Sequence, residues 1–95
     1  VEINDTLKER GNSYGDFSLG IELETNMLSM LDKQHLEHHG TYIPDVMKTC
    51  IARILTKLAR ISVTPNHEDS WKDIAGYAIL TENMIIKGKT NAENK

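Results

Sequence analysis

Between residues 53 and 73 the chain sets three cations and two carboxylates at helical spacing. Arg53, Lys57 and Arg60 recur at intervals of four and three, so at about 100° per residue they share one narrow helix face. Asp69 and Asp73 lie one turn apart on the next segment. Gly76 and Leu80 continue their face, which passes from acidic to apolar and so directs the carboxylates into the protein. The linker "SVTPNHE" is short, which makes the two segments antiparallel neighbours with Arg60 near Asp69 and Lys57 near Asp73. Two chemistries follow. These charges can form ion pairs that staple the helices. Alternatively, some of them exceed what pairing needs and surround a polar pocket. Arg60 and Lys57 would then hold phosphate or carboxylate oxygens, and one Asp would orient a base or a metal-bound water. Tyr77 lies beside the Asp73 and Gly76 face, either as a half-buried core tyrosine or with its hydroxyl in that pocket.

A second cluster stands upstream in "RGNSYGDF" at 10–17. Gly11 suits a helix end, Gly15 a sharp turn and Asp16 the cap of the next helix. Arg10 and Tyr14 are not needed for capping. Arg10 either answers Asp69 or Asp73 in an internal network or faces a ligand beside Lys57 and Arg60. Tyr14 either packs on the helices or stacks on that ligand.

Other chemistries find less in the residues. His35 and His39 in "HLEHHG" are one turn apart and able to share an ion, yet no acidic or cysteine ligand follows at a fitting distance. A solvated helix end is the better reading, and no metal site is expected. Cys50, the single cysteine, has Met47, Ile51 and Ile54 around it and reads as a small buried hydrophobe in a reducing interior. There is no phosphate-loop, dinucleotide-binding, H-E-x-x-H or C-x-x-C motif, which removes the usual ATPase, dehydrogenase, metalloprotease and zinc-finger readings.

The elements that must position these residues are predicted to be helices throughout. Apolar periodicity places a short helix over 5–10, one from Phe17 or Ser18 to His39, one from Pro44 to about Ile61, and one from Glu68 to Lys87. Gly40 and Gly88 read as stop signals, and residues 89–95 as a frayed tail. Ile21, Leu28 and Leu31, widened by Leu23, Met27 and Met30, form the apolar side of the second helix. Met47, Ile51, Ile54, Leu58 and Ile61 form the clearest core stripe, and Trp71 aligns with Ile74, Ala78 and Ile85 as core. Gly20 and Gly76 inside helical patterns call for close packing or ligand approach. The expected fold is one all-α domain over residues 1–88, a compact bundle of about four helices that completes its core as a homo-oligomer.

Composition agrees with that class. A hydrophobic fraction of 39% and a charged fraction of 26% suit a globular chain. The net charge of −3, with both signs interspersed, gives no field to hold a nucleic-acid backbone. No apolar run approaches the roughly 20 residues of a membrane span, and no signal-peptide pattern opens the chain, so a cytoplasmic protein is expected.

Three segments, "RGNSYGDF" at 10–17, "KLARI" at 57–61 and "DSWKDIAGYAIL" at 69–80, together resemble a small family encoded by phages and prophages. Its members share an R-G-x-x-Y-G-D-F start, a K-x-x-R-I helix and a D-S-W-x-D-I-A-G-Y-A helix. The resemblance covers most of the chain and is weakest between about 20 and 50. The family is one of unknown function, so the resemblance implies a phage source, an infected bacterial cytoplasm and a compact helical fold. More remotely, the layout is similar to the all-α nucleoside triphosphate pyrophosphohydrolases of MazG type and to small phage nucleotide kinases without a phosphate loop. In the former, E-x-x-E and E-x-x-D pairs hold magnesium. Here Arg53, Lys57 and Arg60 stand where one acidic pair is expected, and Asp69 and Asp73 are spaced by four. That disfavours magnesium-dependent hydrolysis and leaves the binding of an anionic nucleotide.

Two functions are therefore expected. In the first, a phage-type accessory protein binds a phosphorylated, nucleotide-like ligand, sequestering a host signal or handling nucleotides. Arg10, Lys57 and Arg60 meet phosphate, Tyr14 or Tyr77 stacks or hydrogen-bonds, and Asp69 and Asp73 position the cations. No cofactor is expected, magnesium entering only if the protein is a nucleotide phosphohydrolase. In the second, the chain blocks a host enzyme or defence complex by surface contact, an anti-CRISPR-like role, through acids that include Glu22, Glu24 and Asp32.

Overall fold

A computed structural model describes residues 17–93, with side chains from 19 to 89. The helix expected over 5–10, and with it Arg10, Gly11, Tyr14, Gly15 and Asp16, lies outside the described residues. Within them the chain is all-helical, with no strand: α1 spans Phe17–His39, α2 Asp45–Val63 and α3 Glu68–Glu93.

Local chemistry sets the boundaries. Gly40 takes φ 73°, the left-handed conformation that closes a helix, and its N–H donates to the Leu36 carbonyl at 2.8 Å. The His35 Nδ1–H donates to the Thr41 carbonyl at 2.6 Å and pins the turn that follows. Pro44 stands one residue before α2, where a missing N–H costs nothing, and its carbonyl accepts the Lys48 N–H at 2.8 Å. At the start of α3 the His67 ring does the work of a polar cap: Nδ1 accepts the Ser70 N–H at 3.3 Å and the Ser70 hydroxyl at 2.8 Å. Ser70 is wholly buried.

One end differs from expectation. α3 does not stop at Gly88 but continues to Glu93, through most of the segment expected to fray. Glycine ends a helix only when the chain turns left-handed there, and among the described residues Gly40 alone does so.

The packing departs from a compact four-helix bundle. α1 and α3 each pack along α2, and no comparable contact joins them to each other. The molecule measures 60 × 28 × 24 Å with a radius of gyration of 17.2 Å, against about 12 Å for a compact chain of this length. The reason lies on α2. Lys48, Ala52, Leu55 and Thr56 meet α1, whereas Lys57 reaches α3. At about 100° per residue those two sides are roughly opposite, so the helices form an open layer with α2 in the middle.

The layer relocates the expected core. Among the described residues only Ile43, Leu55, Ala59 and Ile61 are buried hydrophobics, Ile61 being the one member of the predicted stripe among them. Leu55 and Ala59 lie beside the predicted stripe rather than on it. Met47, Ile51 and Ile54 are half-buried and Leu58 is 38% exposed, because their line bisects the two packed sides of α2 and looks out of one face of the layer. Trp71, expected in the core, is 51% exposed, its indole N–H donating to the Pro65 carbonyl at 2.8 Å. None of the described side chains of α1 is buried: Leu28 and Met27 are half-buried, and Ile21, Leu23, Met30 and Leu31 are exposed. Cys50 is half-buried rather than buried. Nothing lies within 4 Å of a Cβ built on Gly20 or Gly76, so close packing among the described residues does not account for either glycine.

Candidate functional site

The predicted polar set divides. Lys57 Nζ lies 2.9 Å from Asp73 Oδ2, with the lysine 19% and the aspartate 47% exposed. Their register, turning about Pro65, brings Arg60 level with the first turn of α3, where Asp69 stands. Arg60 and Asp69 are both exposed, and Arg60 is engaged rather than free. Tyr77 is half-buried on the side of α3 that meets α2, and its carbonyl accepts the Thr81 hydroxyl at 2.7 Å. Arg10 and Tyr14 lie outside the described residues. Among the described members, then, Lys57 and Asp73 are joined in an ion pair across α2 and α3.

A shallow groove opens elsewhere, between α1 and α2, lined by Ile21, Glu24, Thr25, Leu28, Ala52 and Leu55. It shares no residue with the predicted set, and its one charged wall, Glu24, would repel a phosphate. Glu24 is also engaged: Thr56 Oγ1 is 2.5 Å from Glu24 Oε1 and 3.1 Å from the Ala52 carbonyl. A hydroxyl has one proton, and the shorter, charged acceptor takes it.

The most developed polar cluster is one that spacing alone does not announce. Asp32 accepts the Ile43 N–H at 3.0 Å through Oδ1 and meets Lys48 Nζ at 2.8 Å through Oδ2. Lys48 also sits 5.6 Å from the centroid of the Tyr42 ring. The hydrogen-bonded Lys48 ammonium holds the Asp32 carboxyl below its ordinary range; the Ile43 N–H and the charges of Lys48 and His35 act the same way, and desolvation acts against them. The signal was in the loop length. Gly40 is the midpoint of Asp32 and Lys48, and also of Glu24 and Thr56, as an antiparallel hairpin turning at that glycine requires. Asp32 and Glu24 are thereby turned toward α2, which removes two of the three acids expected to form an outward docking face; Glu22 remains exposed.

The histidine pair is close, with His35 and His39 ring centroids 4.5 Å apart. Among the described residues no group of three His, Cys, Asp or Glu side chains is placed to hold a metal ion. None of the described helices is long and apolar enough to cross a membrane.

Residues 3–85 match the family described as a domain of unknown function, DUF6378. No curated protein and no solved structure matches the chain. The match spans all seven predicted site residues. It establishes a family without an activity, and neither the phage source nor the likeness to pyrophosphohydrolases is part of it.

Proposed function

The chain belongs to the DUF6378 family, and from that premise we propose that it works by surface contact with protein rather than by chemistry on a small ligand. One observation carries this reading: polar groups that a ligand pocket would need are engaged within the chain, while a broad apolar face is left open. Lys57 is paired with Asp73, and Arg60 is engaged within the chain. Sixteen large hydrophobic side chains, by contrast, are exposed among the described residues, far more than the scattered few that a monomer's surface carries without consequence.

The working surface is the side of the layer onto which the α2 stripe looks. Right-handed helices turned about the ion-pair and hydrogen-bond contacts bring Met27 and Leu31 of α1 and Trp71, Ala78 and Ile85 of α3 to that same side. The second half of α3, "YAILTENMII", is apolar nearly all round, the pattern of a helix covered on more than one face. In the phage-type setting that the resemblance implies, the other protein met by this unit is a host enzyme or a defence complex. The nucleotide-binding reading has less support, since Lys57 would have to leave Asp73 to meet a phosphate.

Thermal melting with a panel of mono-, di- and cyclic nucleotides tests this. Surface contact predicts no nucleotide-dependent shift. A shift of several degrees that Lys57→Ala removes would overturn it.

A further inference from the structure

We infer that His35 and His39, one turn apart at the C-terminal end of α1, form a two-imidazole site for a late first-row divalent cation, Cu(II) most tightly. The inference is independent of the surface-contact reading. Spacing alone leaves this pair as a solvated helix end, and the structure adds three things that spacing lacks.

The first is separation. A cation bound about 2.1 Å from an imidazole nitrogen lies about 3.2 Å from the ring centroid. Centroids 4.5 Å apart subtend about 90° at such an ion, the angle between neighbouring ligands in the tetragonal sites that suit Cu(II) and Ni(II). The centroids of His38 and His39 are 6.5 Å apart, beyond the roughly 6.4 Å that one shared ion could span. His38 is therefore outside the set, and its Nε2 is held by Gln34 at 2.9 Å.

The second is the tautomer. The Thr41 carbonyl, 2.6 Å from His35 Nδ1, can only accept, so Nδ1 carries the proton and Nε2 keeps its lone pair. A backbone carbonyl on the far nitrogen is the usual orienting partner of a metal-ligating histidine. His39 is exposed, and no hydrogen bond engages its ring among the described residues.

The third is the surrounding charge. His39 stands in the last turn of α1, where the helix carbonyl ends favour a cation. Asp32, one turn before His35, is committed to the Ile43 N–H and to Lys48, and no third His, Cys, Asp or Glu is placed to join the pair among the described residues. Water then fills the other coordination positions. Two imidazoles without a carboxylate select late transition metals over Mg²⁺ and Ca²⁺, which take oxygen ligands.

Calorimetric titration of the metal-stripped full chain with CuCl2, NiCl2, ZnCl2 and MgCl2, with EPR of the Cu(II)-loaded protein, tests this. The expected result is one saturable Cu(II) per chain, weaker Ni(II) and Zn(II), no Mg(II), and hyperfine splitting from two imidazole nitrogens. His39→Ala should lower the Cu(II) affinity at least tenfold and leave the metal-free melting temperature unchanged, since its ring makes no hydrogen bond, and the control His38→Ala should change the affinity less than threefold. Non-saturating uptake, an adventitious ion only, overturns the inference. So does Cu(II) binding that survives His39→Ala, or that His38→Ala weakens as much.

Discussion

Lys57 and Asp73 sit 2.9 Å apart across the α2–α3 hairpin, the pairing that their spacing and the short linker lead one to expect. An ion pair with a half-exposed aspartate contributes little, about 0.5 kcal/mol. A double-mutant cycle with Lys57→Ala and Asp73→Ala is expected to return a coupling of that size, and the exchanged pair Lys57→Asp with Asp73→Lys to keep most of it. A coupling near zero would mean that the two side chains are free for other work.

Asp32 gives a prediction in pH. Its pKa is lowered in the folded chain, chiefly by Lys48, so its contribution is fully present above the unfolded carboxylate range and is lost as pH falls through the folded value. Asp32→Asn keeps an acceptor for the Ile43 N–H and removes the charge. The gap between the denaturation midpoints of wild type and Asp32→Asn should therefore hold steady from pH 7 to about pH 5 and close below about pH 4. A gap that stays constant down to pH 2 would contradict the assignment.

Leu55 and Leu58 are three residues apart and differ in what covers them. Leu55 is buried by this chain, and Leu55→Ala should cost about 3 kcal/mol at every protein concentration. Leu58 is 38% exposed, so Leu58→Ala should cost about 1 kcal/mol or less when both variants are followed by chemical denaturation.

The glycines separate into two classes. Gly40 has φ 73° and open space around a built Cβ, so Gly40→Ala should destabilise by about 1 kcal/mol through backbone strain alone. Gly76 is helical, with nothing within 4 Å of a built Cβ. Gly76→Ala should therefore stabilise by about 1 kcal/mol in thermal melts. A loss of stability at Gly76 would show that another molecule approaches that helix closely.

Much of the secondary structure was legible in residues 17–87. Apolar period, Pro44, Gly40 and the acids at the start of α3 are local signals, and helix boundaries respond to local signals. Gly88 was misleading because a glycine stops a helix only by turning left-handed, and a residue type does not reveal that choice. The Lys57–Asp73 contact was legible for the same reason as the helices: a short linker forces antiparallel neighbours, and spacing then fixes who faces whom. Asp32 and Lys48 obey the same rule about Gly40, although their types alone mark them only as surface charges.

Which apolar residues are inside was legible only in part: of the predicted α2 stripe, Ile61 alone is buried. Periodicity identifies a side of a helix that avoids water, and Met47, Ile51, Ile54 and Leu58 mark such a side clearly. It does not say what covers that side. Leu55, Ala59 and Ile61 are covered by this chain, while Leu58 and Trp71 are left exposed, because α1 and α3 settle on roughly opposite sides of α2 and leave the stripe looking out between them. The sequence by itself determined the helices, their order and the hairpin registers, which depend on neighbours along the chain. Only the tertiary structure decided that three helices form an open layer rather than a closed bundle, since that depends on the direction from which each helix approaches α2.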